Sequence, residues 1–259
     1  VLAAVSVWAR PAAFEERAGR VVLDSAEGHG GAYRRSMKKA GEVKESGDAL
    51  SRAGYAAEGW LPAIVPGTVL GSLVHNKVYP APDYGLNNKK TQKLIPDLNE
   101  AGRDFYTYWF RAVFGLPAEF KGKTVWMRTD GINYRSEIWL NGKLAFCTAG
   151  MFCQDYVNVS DYVLPGKPNA IAVKVFPVDT AGDSKLKQWG AANNEFRNGG
   201  DGEIGKNVTM LMSVGWDFTF DDGVRDRNTG IWRSLSFFAT GRAALRHPFV
   251  RAALAKPNY

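Results

Sequence analysis

Four aspartates crowd one short stretch of this 259-residue chain, Asp217, Asp221, Asp222 and Asp226, and Trp216 and Phe218 flank the first of them. Carboxylates grouped in this way can accept hydrogen bonds from hydroxyls, hold a cationic amine, or ligate calcium, which takes about six to eight oxygens. Their spacing does not match an EF-hand loop, and a solvated acidic loop is the simpler alternative. Glu195 follows Asn194 among glycines, asparagines and charges, with no apolar run before it, which is the setting of a loop carboxylate. Cys147 and Cys153 are the only cysteines. They read as two free thiols, or as a disulfide across a loop in an oxidising compartment. Without paired histidines they make no standard zinc site, and His29, His75 and His247 are far apart. Gly199-Gly200-Asp201-Gly202 lacks the preceding strand and the closing Lys-Ser or Lys-Thr of a phosphate loop. No Ser-His-Asp arrangement stands out. The chain is therefore expected to hold no catalytic residue, no metal and no cofactor of its own.

Binding is better supported than catalysis. Aromatic residues make up 12% of the chain, eight of them Trp, beside 28 Gly. That mixture suits a sheet protein with many turns. It also suits sugar recognition, because the C–H faces of a pyranose stack on flat rings, although aromatic side chains are equally ordinary core residues. A net charge of +7 raises nucleic acid as a partner. The basic residues concentrate before residue 45 with no zinc-finger, RNP or helix-turn-helix pattern to organise them, so a solvated basic surface is expected and nucleic acid is not. No stretch approaches the roughly 20 apolar residues of a membrane span. The apolar run 1–9, ahead of Arg10-Pro11, reads as the end of a signal peptide or as a buried segment, and the first reading implies a secreted or periplasmic protein. Asn158-Val159-Ser160 and Asn207-Val208-Thr209 fit the glycosylation sequon, a tripeptide that also arises by chance.

The elements that would position these groups are mostly strands. Residues 1 to about 60 show no sustained period, and within them Gly28-His29-Gly30-Gly31 and 38–47 read as polar loop. Thr68 is placed to cap one short helix carrying Val69, Leu70, Leu73 and Val74. In residues 104–114, Tyr106, Tyr108, Phe110, Ala112 and Phe114 fall on one face at period two, with Thr107 and Arg111 on the other. Weaker alternation marks 124–129 and 136–140. Asn141-Gly142 then signals a type I′ hairpin into 143–146, since both central positions need positive φ. Further strands are expected at 154–159, 170–176, 208–213 and 231–239, and a long aperiodic gap at 179–206, the kind of loop that is functional or disordered. Many short strands and almost no helix make an all-β two-layer sandwich.

Four groups of residues resemble the N-terminal sugar-binding domain of family 2 glycoside hydrolases, in the branch of β-mannosidases and exo-β-glucosaminidases. They are Val65-Pro66-Gly67-Thr68-Val69-Leu70 with Val78-Tyr79-Pro80 and Asp83-Tyr84-Gly85; Trp109-Phe110-Arg111; Asp130-Gly131-Ile132-Asn133-Tyr134 running into Ile138-Trp139-Leu140-Asn141-Gly142; and Val214-Gly215-Trp216-Asp217 with Asp226-Arg227-Asn228-Thr229-Gly230-Ile231-Trp232-Arg233. The resemblance implies a jelly-roll sandwich, galactose-binding-domain-like, over residues 41–242. An N-terminal extension over 1–40 would precede it. Residues 243–259 would be a linker or the start of an immunoglobulin-like domain, with a (β/α)8 barrel beyond that holds two catalytic glutamates for retaining cleavage. On this reading the domain gates an oligosaccharide or β-glycoside substrate at the barrel mouth. Asp217 would accept hydrogen bonds from sugar hydroxyls, a charged acceptor making stronger bonds than a neutral one, with Trp216 and Phe218 beside it. Phe218 stands where the β-mannosidase pattern has a second Trp, keeping a stacking face and losing the indole N–H. Glu195 imitates the family's Asn-Glu acid/base but lacks its buried barrel strand. The alternative is a free-standing carbohydrate-binding module or lectin, which needs an exposed aromatic platform.

Overall fold

The computed structural model describes residues 19–25, 35–87, 94–180, 209, 225–243 and 249–252. Two antiparallel sheets form a sandwich. The smaller has the order β1 (Val21–Val22), β10 (Leu235–Thr240), β5 (Thr124–Thr129) and β8 (Asp155–Asn158). The larger runs β3 (Leu61–Pro62), β2 (Arg35–Lys39), β4 (Tyr108–Gly115), β9 (Pro168–Phe176), β6 (Arg135–Leu140) and β7 (Lys143–Ala149). Period-two alternation sets which side chains meet between them. Val125, Met127, Leu235 and Phe237 from one sheet join Phe110, Phe114, Ile138, Val173 and Val175 from the other in a single core. Phe114 stacks on Phe237 across the gap, with ring centroids 4.7 Å apart.

The expected face of Tyr106, Tyr108, Phe110, Ala112 and Phe114 is buried as a set. The strand itself starts later, at Tyr108, because residues 103–105 close a 3-10 turn first. Its opposite face is covered as well. α1 (Gly47–Leu50) and the chain after it lie over β4 and β9, so Leu50, Trp109 and Ala172 form a second cluster with Tyr55, Trp60 and Trp139. Arg111 is buried there and donates to the carbonyls of Leu50 (2.9 Å) and Arg52 (2.8 Å). Gly47 is required beneath Trp139, since a Cβ would sit 2.4 Å from its ring.

Residues 1–60 contain more regular structure than their lack of period suggests. β1 and β2 put residues from the expected N-terminal extension into both sheets. β2 reads RSMKK with only Met37 fully buried, so a single apolar residue leaves no alternation to detect. The capped helix is α2 (Val69–His75), where Thr68 Oγ1 accepts from Gly71 N at 2.9 Å. A further short helix, α3 (Leu98–Ala101), is capped by Asp97. The Asn141-Gly142 turn forms with φ of 48° and 88°, joining β6 to β7. The strand expected at 208–213 lies outside the described residues apart from Thr209. The one expected at 231–239 begins only at Leu235. Among the described residues no helix is long and apolar enough to cross a membrane.

Candidate functional site

A buried polar frame is built from Asp97, Arg225 and Arg227. Asp97 is wholly buried and caps α3 by accepting from Asn99 N at 2.9 Å. Its carboxylate also takes Arg227 in two contacts, Nη2 to Oδ1 at 3.0 Å and Nη1 to Oδ2 at 3.1 Å, and Arg225 Nη1 at 3.4 Å. Both guanidiniums are buried too. A carboxylate in low dielectric stays charged only with partners of this kind, and the planar guanidinium fork matches its two oxygens. The backbone repeats the link, since Leu98 N donates to Arg225 O at 2.8 Å.

Between the two arginines Asp226 points the opposite way. Its Oδ2 accepts from Leu70 N in the first turn of α2 at 3.0 Å, and its Oδ1 from Asn228 N at 2.9 Å. Burial pushes its carboxyl up to about 6, with those two amide bonds and Arg227 pulling the other way. The turn that follows holds two successive non-glycine residues at positive φ, Arg227 (54°) and Asn228 (57°). Asn133 Nδ2 ties down this unfavourable backbone by donating to the carbonyls of Arg227 (2.8 Å) and Asn228 (2.9 Å). Asn133 and Gly230 then exchange backbone hydrogen bonds of 2.9 and 2.8 Å. Gly230 has φ of 153°, and a Cβ there would lie 2.6 Å from Gly67 O, so only glycine fits.

A second polar group holds the chain at Asp179, just before residues 181–208. Arg103 Nη2 reaches Asp179 Oδ1 at 3.0 Å and Pro177 O at 3.1 Å, and Arg135 Nε reaches Asp179 Oδ2 at 2.8 Å. The hydrogen bonding from Arg135 holds the Asp179 carboxyl below the usual range against partial burial. Tyr134 N donates to Phe176 O, so the strand leading to Asp179 adjoins the residues that hold the 225–230 turn.

Next to that turn Trp232 donates its indole N–H to Met151 O at 2.9 Å. Phe152 meets its ring edge-on at 5.7 Å, and the Arg233 guanidinium lies 4.4 Å from its centroid. The cavity between the sheets is different in kind, being lined by core residues such as Leu23, Val65, Phe110 and Ile171.

Trp216, Asp217 and Phe218 lie outside the described residues, as do Glu195, Asp221 and Asp222. Of the acidic quartet only Asp226 is described, and its oxygens are spent on backbone amides. Cys147 and Cys153 are free thiols, both exposed, and Cys153 Sγ donates to Ala149 O at 3.2 Å. Cys147 belongs to β7, and partial desolvation there pushes its thiol up. Among the described residues no cluster of three or more His, Cys, Asp or Glu could hold a metal ion. Asp97 carried no signal in the sequence, since the short helix it caps was not read there. Arg227 and Gly230 were visible only as part of a motif.

Similarity to known proteins agrees with this architecture. A mannosylglycoprotein endo-β-mannosidase of Lilium longiflorum is 38% identical over 182 residues, 70% of this chain and 18% of that protein. An exo-β-D-glucosaminidase of Amycolatopsis orientalis is 23% identical over 205 residues, 78% of this chain and 16% of that protein. The chain thus spans less than a fifth of either relative. In fold it is similar to the crystal structure of the Amycolatopsis orientalis exo-chitosanase, with a TM-score of 0.58 and 20% identity over 83% of this chain and 22% of that one. Residues 38–233 match the family model described as glycosyl hydrolase 2 galactose-binding domain-like, and the chain belongs to that family.

Proposed function

We propose that this chain is the N-terminal carbohydrate-recognition domain of a retaining β-glycosidase, gating substrate for a catalytic barrel elsewhere in the polypeptide. The observation that carries the reading is the frame around Asp97. Residues 210–224, which contain Trp216, Asp217 and Phe218, are bounded by Thr209 and Arg225, both buried. Arg225 and Arg227 are anchored in turn on one buried carboxylate. A site that discriminates sugars needs its polar groups held by a rigid support, because binding is weakened by every rotamer that must be ordered. Asp217 supplies the charged acceptor for sugar hydroxyls, and Trp216 and Phe218 supply rings beside it.

β-Mannosides are the first substrate class to test, given the 38% identity to an endo-β-mannosidase. β-Glucosaminides come second, because the exo-β-D-glucosaminidase matches more distantly and over much the same share of the chain. A panel of aryl β-glycosides presented to the complete polypeptide distinguishes the two. In that polypeptide Asp217→Asn is expected to lower kcat/KM on the preferred glycoside by about 1.5–3 kcal/mol in transition-state terms, the value of a lost charged hydrogen bond. Unchanged kcat/KM would remove Asp217 from the site.

A further inference from the structure

Most of the large apolar side chains of this sandwich are buried, yet Phe152 is 52% exposed and held in a defined orientation. It stands in the turn between β7 and β8, and its ring is braced at 85° against Trp232. Trp232 is itself fixed on three sides. Its indole N–H is used by Met151 O, and Gly131 packs so close that an added Cβ would lie 2.6 Å from Nε1. The Arg233 guanidinium lies against the ring, while Arg233 N is tied to Gly131 O at 3.2 Å. Arg233 is exposed and brings planar donors to the same edge.

We propose that Phe152, Trp232 and Arg233 form a preorganised stacking subsite for a β-linked pyranoside oligosaccharide, engaging sugar units outside the terminal residue. The proposal rests on the carbohydrate reading above and extends it from a monosaccharide glycoside to a chain. Its chemistry is that of an amphipathic ligand. The exposed part of the Phe152 ring takes the C–H face of a pyranose, and Arg233 donates to the hydroxyls at its rim. Trp232 keeps the ring from rotating, so little ordering cost remains on binding. The position fits as well, because Trp232 follows Ile231, whose carbonyl accepts from Gly67 N. The corner is thereby continuous with the 225–230 turn.

Calorimetric titration of the 259-residue chain with β-1,4-mannohexaose, and separately with the β-1,4-linked glucosamine hexamer, tests it. At least one hexamer should bind. Phe152→Ala should weaken that binding about three- to tenfold, Phe152→Tyr should keep it, and Phe152→Leu, which retains apolar bulk without a flat ring, should behave like the alanine variant. Equal affinity in the parent chain and Phe152→Ala overturns the proposal, as does the absence of binding of either hexamer to the parent chain. A Phe152→Ala change that lowers the Tm of the complete polypeptide and leaves hexamer affinity untouched also overturns it, showing that the ring serves packing alone. The Asp217→Asn kinetics above judge the gating role independently: the stacking subsite can fail while that effect stands, and the reverse.

Discussion

Burial decides the worth of the charged side chains here. Asp97 is buried against two buried guanidiniums, so Asp97→Asn removes the charge that both of them contact and should cost about 3–5 kcal/mol. Urea unfolding measures it. Arg103 meets Asp179 at 3.0 Å, but the side chains are 42% and 33% exposed. Arg103→Ala should therefore cost less than about 1 kcal/mol by the same measurement. Asp226 adds a pH dependence of definite sign. Its carboxyl is raised to about 6 in the fold, from an unperturbed 3.8. Its contribution is then fully present below about pH 4 and lost as pH rises through 6. The stability of the parent chain relative to Asp226→Asn should fall across that window and level off above it; a difference that stays flat between pH 4 and 7 would contradict the assignment. None of these roles could be read from the chain. Arg227 and Asp97 are 130 positions apart, and no local pattern links a carboxylate to a partner at that distance.

Elements were more legible where their cause is local. The Asn141-Gly142 turn followed from the need for positive φ at both positions, and β6 and β7 lie on either side of it. Asn141 does more than turn the chain. Its Nδ2 donates to Tyr162 O (2.8 Å) and Asn169 Oδ1 (2.7 Å), and its Oδ1 accepts from Ala170 N at 2.9 Å. Asn141→Ala should thus lose about 2 kcal/mol or more, seen as a lower Tm, whereas a plain turn residue would lose less. α2 was equally readable, since a threonine cap followed by apolar residues on one face is written in consecutive positions. β1 and β2 were not. Strands of two and five residues that bury one side chain between them acquire their structure from partners, β10 for the first and β3 and β4 for the second.

Across the whole molecule the two sheets share one core. If the proposed division of labour holds, with both catalytic glutamates in a separate barrel domain, the isolated chain should release no product from aryl β-glycosides. Turnover that survives purification and disappears in Glu195→Gln would reverse that expectation. Side-chain alternation, turn chemistry and the order of four motifs were sufficient, without coordinates, for the β-sandwich class and the glycosidase family, because each is encoded by neighbours in the chain. Folding alone brought Asp97 to Arg225 and Arg227, laid α1 over the outer face of the larger sheet, and set Phe152 against Trp232. Those contacts join segments tens to more than a hundred residues apart, and their energy exists only once the sandwich has excluded water from between them.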